Sequence, residues 1–147
     1  MADLVWIHED ALRATHPVFD AASDGARAIF IWDSARFDAA FIGSKRQLFI
    51  YQTLVEMDVD IIAGKTADVL SSRAACEDVS RLVVAETPNP AIHAALATVR
   101  RTCTDLQIDT IAETPFVSLA ATPDLGRFFR YWNKAKKSAL RHGGLPV

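Results

Sequence analysis

Gly64-Lys65-Thr66, with an apolar run before it and helix-compatible residues after it, has the residue order that closes a phosphate-binding loop. The full motif needs a glycine at position 59, where this chain has Val59, and without it the backbone amides do not wrap a triphosphate. A weaker use remains: the amides opening the helix, with Lys65 beside Gly64, can hold a single anion. The competing reading is that Gly64 makes the turn and Thr66 caps the helix. His8, Glu9 and Asp10 close another apolar run, and a histidine flanked by acids can hold a proton or contact a ligand. The same three also read as ordinary loop polarity. Asp33, directly after Trp32, ends a third run and is placed to cap a helix or bond a ligand.

Other chemistries lack their residues. No Gly-x-Gly-x-x-Gly follows the first apolar run, which argues against a conventional dinucleotide site. There is no Gly-x-Ser-x-Gly elbow, no His-Glu-x-x-His, and no histidine pair at metal-ligand spacing among His8, His16, His93 and His142. Cys76 and Cys103 are too few and too far apart for a disulfide scaffold or a thiolate zinc site, and read as reduced thiols. No catalytic residue and no metal ligand is assigned.

The elements that position these residues are legible in the apolar pattern. Leu4 to His8, Ala28 to Trp32, Asp60 to Ala63 and Leu82 to Ala85 are continuous apolar runs ending in polar residues or glycine, as in strands covered on both faces; Gln107 to Glu113 is a weaker fifth, interrupted by Asp109. Between them lie helical stretches. Asn89 is an N-cap and Pro90 a first helical residue, after which Ile92, Leu96, Val99 and Cys103 form one stripe. Ser44 to Met57 is expected to turn Leu48, Tyr51, Leu54 and Val55 inward, Thr66 to Cys76 to form a shorter helix through Val69 and Leu70, and Pro17 to Ser23 another. Trp6 and Trp32 read as core. Strands alternating with helices predict a doubly wound, three-layer α/β fold with a parallel sheet. Ligands in such sheets sit beyond the carboxyl ends of the strands, here His8 to Asp10, Trp32 to Ser34, Gly64 to Thr66 and Glu86 to Asn89.

The chain of 147 residues suits one domain with one ordinary core, and a hydrophobic fraction of 50% with 23% charged excludes disorder. No apolar run reaches the roughly 18 to 20 residues of a membrane span, and Asp3, Glu9 and Asp10 stand where a signal peptide carries Lys or Arg. A cytoplasmic protein with no membrane partner is expected. The net charge of −2 conceals an asymmetry: residues 1–122, the sheet region, hold 10 basic and 17 acidic side chains, whereas 123–147 hold 6 and 1. After a loop from Glu113 to Pro123, a helix is expected from Pro123 to Arg141. It turns Leu125, Phe128, Phe129, Trp132, Ala139 and Leu140 to one side, and Arg127, Arg130, Lys134, Lys137 and Arg141 to another; Lys136 falls on the apolar side. The basic face is either solvated or meets an acidic partner, a phosphate-bearing ligand or nucleic acid.

Leu4-Val5-Trp6-Ile7-His8-Glu9-Asp10-Ala11-Leu12-Arg13 followed by His16-Pro17 resembles the opening signature of the N-terminal α/β domain of the DNA photolyase and cryptochrome family. The strand ending in Asp33, the helix opened by Ser44-Lys45-Arg46-Gln47-Leu48-Phe49, the segment Ile61-Ile62-Ala63-Gly64 through Val69-Leu70, and Phe128-Phe129-Arg130-Tyr131-Trp132 are similar to later segments of that domain. His8 replaces the usual arginine, Ala11 is an insertion in the signature, and Ile92-His93 stands where many members carry Arg-Asp. The resemblance implies a five-stranded sheet ordered 3-2-1-4-5 over 1–147, and a cleft that in some relatives holds an antenna chromophore such as FMN, a deazaflavin or a folate. His8, Glu9, Asp10, Asp33, Lys45, Arg46 and Glu86 stand nearest that cleft by position. The helical FAD-binding domain of the family has no counterpart in these residues, so FAD is not expected in this chain alone.

Two functions follow as expectations. The first is a non-catalytic module that binds a flavin-, deazaflavin-, pterin- or nucleotide-like ligand, or docks on a helical partner or a second copy through Phe128, Phe129 and Trp132. The second is a subunit of a split deoxyribodipyrimidine photolyase, a light-dependent DNA repair enzyme, whose FAD-bearing half is a separate chain. A nucleotide-hydrolysing or nucleotidyl-transferring enzyme is disfavoured by the missing phosphate loop.

Overall fold

The computed structural model describes residues 2–76 and 79–139. The elements are β1 (Ala2–Ile7), α1 (Pro17–Ala21), β2 (Arg27–Trp32), α2 (Ser34–Ala39), α3 (Ser44–Glu56), β3 (Asp60–Ala63), α4 (Thr66–Cys76), β4 (Val79–Ala85), α5 (Pro90–Thr102), β5 (Gln107–Ile111) and α6 (Phe128–Ala139). The five strands form one parallel sheet in the order β3-β2-β1-β4-β5. The chain divides into two compact units, Met1–Glu113 and Thr114–Val147, and the second begins in the stretch read from sequence as a loop.

The continuous apolar runs are explained by a sheet covered on both faces, because successive side chains of a strand point to opposite sides. Leu4, Trp6, Ile29, Ile31, Leu82 and Val84 meet Leu70 of α4 and Ile92, Leu96 and Val99 of α5 on one face. Val5, Ile7, Phe30 and Val83 meet Val18, Phe37, Ile50 and Leu54 of α1, α2 and α3 on the other. Trp6 is wholly buried, whereas Trp32 is half-buried and packs edge-on to Phe37.

Three features depart from the sequence reading. The short helix α2 is present where no helix was expected; the Asp33 carboxylate caps it by accepting from the Arg36 amide at 3.1 Å. Helix α3 turns Ile50 and Leu54 to the sheet and leaves Leu48, Tyr51 and Val55 exposed. Its sequence offers two apolar stripes, and the one that packs on the sheet holds Ile50 and Leu54, with the Gln47 amide donating to the Ile42 carbonyl at 2.8 Å. Helix α6 starts at Phe128 rather than Pro123, because Asp124 accepts from the Gly126 amide at 2.9 Å and forms a turn there. Leu140 and Arg141, assigned to this helix from sequence, lie outside the described residues.

Candidate functional site

The strands end on one edge, and the polar residues expected there are used very unequally. His8, directly after β1, is wholly buried. Its Nε2 donates to the Ala85 carbonyl at 2.9 Å and its Nδ1 accepts from the Asp10 amide at 3.3 Å, which assigns the Nε2–H tautomer. Burial pushes its pKa down, more than the Ala85 carbonyl and the nearby Asp10 and Glu9 charges raise it. Asp10, exposed, accepts from the Thr87 hydroxyl at 2.7 Å and the Asn89 side-chain amide at 3.2 Å. The strand order reverses between β1 and β4, where a ligand crevice is expected. That crevice is bridged here by His8 and Asp10.

Asp33 is similarly occupied. Besides the α2 cap, its Oδ2 accepts both the amide of Thr66, at 2.8 Å, and its hydroxyl, at 2.9 Å, tying the end of β2 to the start of α4. Burial alone would raise its pKa, but the Thr66 and Arg36 amides and the Thr66 hydroxyl outweigh it and hold the carboxyl below the usual range. Gly64 lies at φ 151°, and its amide donates to the Trp32 carbonyl at 3.2 Å. Lys65, Lys45, Arg46 and Glu86 are exposed. Lys45 and Arg46 occupy the first turn of α3, whose Gly43 cap offers no side-chain acceptor. Glu86 borders an open recess of about 530 Å³ whose walls include Thr87, His93 and Glu113.

The structure adds residues that sequence reading missed. Arg36, in α2, is paired with Glu9, and both side chains are buried, at 9% and 3% exposure. Only Nη1 of the guanidinium and Oε1 of the carboxylate meet. Arg36 Nε and Nη2 and Glu9 Oε2 are buried with no hydrogen-bond partner. His16 accepts from the Val18 amide at Nδ1, 3.0 Å, and turns Nε2 toward Glu113, 3.4 Å away, which also pairs with Arg13. Burial again lowers the pKa of His16, against the Glu113 charge. The only sequence signal for Arg36 was its place three residues after a capping aspartate. Nothing local marked it as the partner of Glu9, 27 residues away.

In the second unit, Phe128 and Phe129 are 63% and 73% exposed and Trp132 is half-buried, with Phe128 and Trp132 stacked at 6.0 Å. Arg127, Lys134 and Lys137 are exposed, while Arg130 pairs with Asp124 at 3.0 Å. Among the described residues no helix is long and apolar enough to cross a membrane, and no group of three His, Cys, Asp or Glu side chains could hold a metal ion. Comparison with models of known protein families and with curated proteins gave no match.

Proposed function

We propose that the chain is a non-catalytic binding module of the photolyase-like α/β kind, holding a flavin-, deazaflavin-, pterin- or nucleotide-like ligand at the carboxyl edge of β1 and β2. The observation that supports this most directly is the half-used pair of Arg36 and Glu9. Nε and Nη2 form the side-on edge of a guanidinium, the geometry that grips a carbonyl or phosphate oxygen in two-point fashion. Leaving that edge and Glu9 Oε2 unpaired in the interior is costly. A ring bearing an N–H beside a carbonyl, as isoalloxazine, deazaflavin and pterin rings do, offers an acceptor to Arg36 and a donor to Glu9. None of the three orphan atoms touches solvent, so entry of a ring is coupled to a shift of the short helix α2.

The test is the absorption spectrum of the freshly purified protein, with mass spectrometry of what it releases on denaturation and titration with FMN and with folate. The expected result is a chromophore near one equivalent, or saturable uptake that Arg36→Lys abolishes. A colourless protein that releases nothing and takes up neither compound rules the reading out.

The exposed Phe128 and Phe129 favour a second reading, docking of α6 on a helical partner. In this reading the partner supplies the FAD-bearing half of a split photolyase, and Phe128→Ser with Phe129→Ser abolishes the complex. If the exposed cations of α6 meet nucleic acid instead, Lys134→Glu with Lys137→Glu should weaken binding and flatten its salt dependence.

A further inference from the structure

Every large apolar side chain that the first unit leaves exposed, among the described residues, lies between positions 41 and 55: Phe41, Leu48, Phe49, Tyr51 and Val55. Exposed apolar side chains gathered in one segment point to an interaction surface. Leu48, Tyr51 and Val55 follow one another at steps of three and four, so they form a stripe along α3 beside the buried Ile50 and Leu54, with the Tyr51 ring edge-on to Trp32 at 6.4 Å. Phe41, just before the helix, is 95% exposed and sits at φ 54°, a left-handed conformation that a bulky residue seldom adopts. Its backbone closes α2, the Phe41 amide donating to the Asp38 carbonyl at 3.1 Å and the Ile42 amide to the Phe37 carbonyl at 2.9 Å, but its ring is left in water.

The charges beside the stripe say what covers it. Lys45 in the first turn and Glu56 in the last lie, with Gln52 between them, in the column next to the stripe. Lys45 and Glu56 are exposed, and neither is in an ion pair among the described residues. Asp58 follows Glu56 just beyond the helix, so α3 is basic at one end, apolar in the middle and acidic at the other. A helix patterned in this way is complementary to itself when turned end for end.

We propose that this face of α3 pairs with the same face of a second copy of the chain about a two-fold axis, the two helices antiparallel. In that arrangement Leu48 of each copy meets Val55 of the other, the Tyr51 and Gln52 side chains of both lie near the axis, and Lys45 of each faces Glu56 and Asp58 of the other. An isologous contact forms each of these pairs twice and closes the assembly at two copies.

Sedimentation equilibrium of the full chain over a concentration series tests this, with far-UV circular dichroism to confirm that each variant is folded. The wild type is expected to reach a dimer and Val55→Glu, at an exposed position, to remain a monomer. Lys45→Glu sets like charges against each other twice and should weaken the dimer roughly tenfold. Lys45→Glu with Glu56→Lys restores opposite charges across the axis and should recover most of that loss. A wild type that stays monomeric at every soluble concentration overturns the proposal, whatever other partner the face has. So does a dimer unaffected by Val55→Glu, or a double reversal no tighter than the single one.

Discussion

Asp33 Oδ2 accepts both donors of Thr66, the amide at 2.8 Å and the hydroxyl at 2.9 Å, while Oδ1 accepts the amide of Arg36 at 3.1 Å. One carboxylate thus caps α2 and fastens the end of β2 to the start of α4. Asp33→Ala strips three donors of their acceptor, and a loss of about 2 to 4 kcal/mol in urea unfolding at neutral pH is expected. Asp33→Asn keeps one acceptor oxygen and should cost less. Because the folded carboxyl titrates below its unfolded value, its contribution is present above about pH 4 and is lost as pH falls through the folded pKa. A variant as stable as the wild type would show that Asp33 is free to serve a ligand.

His8 and His16 carry the opposite charge type but the same sign of linkage. Burial holds both below their ordinary value, so they are neutral when folded and take up a proton on unfolding near pH 6.5 and below. Their contribution is complete above about pH 6.5 and is lost as pH falls toward the folded pKa values. Urea midpoints measured from about pH 7.5 down to 5 should therefore fall. Replacing His8 by Gln, which can still donate to Ala85, should make that fall shallower.

Gly64 is required by its backbone and by its neighbour. At φ 151° a side chain is strained, and an added Cβ would stand 2.7 Å from Val69 Cγ2. Gly64→Ala should cost about 1 to 3 kcal/mol. Adding Val69→Ala should recover the part due to the clash and leave the part due to φ. Strictly additive effects in the double-mutant cycle would argue against this contact.

The pair of Glu9 and Arg36 makes a different kind of prediction. Glu9→Leu leaves a buried guanidinium with no counter-charge and should destabilise the fold by about 3 to 5 kcal/mol. Glu9→Leu with Arg36→Leu removes both charges and should lie much nearer the wild type. The comparison is best made by thermal and urea unfolding of all four proteins, in the presence and absence of FMN.

Much of this architecture was legible from residues alone. The runs Leu4 to His8, Ala28 to Trp32, Asp60 to Ala63 and Leu82 to Ala85 coincide with four parallel strands, and Asn89-Pro90 opens α5 where capping chemistry requires. Helix α2 was hidden because six residues carry too little periodicity. The roll of α3 was misread because two stripes of its sequence are equally apolar, and only the sheet beneath chose Ile50 and Leu54.

The candidate site divides along the same line. Residue type and position near a strand end brought His8, Glu9, Asp10, Asp33 and Glu86 to the carboxyl edge, because a parallel sheet covered on both faces exposes its strand ends at its margins. Which of them remain available is a matter of partners distant in the chain: Ala85 for His8, Thr87 and Asn89 for Asp10, Thr66 for Asp33, Arg36 for Glu9. Local sequence determined the strands and caps because their hydrogen bonds and side-chain periods are set within a few residues. Only the tertiary structure decided which polar groups are spent and which are left unpaired, because that depends on atoms brought together from up to 100 residues apart.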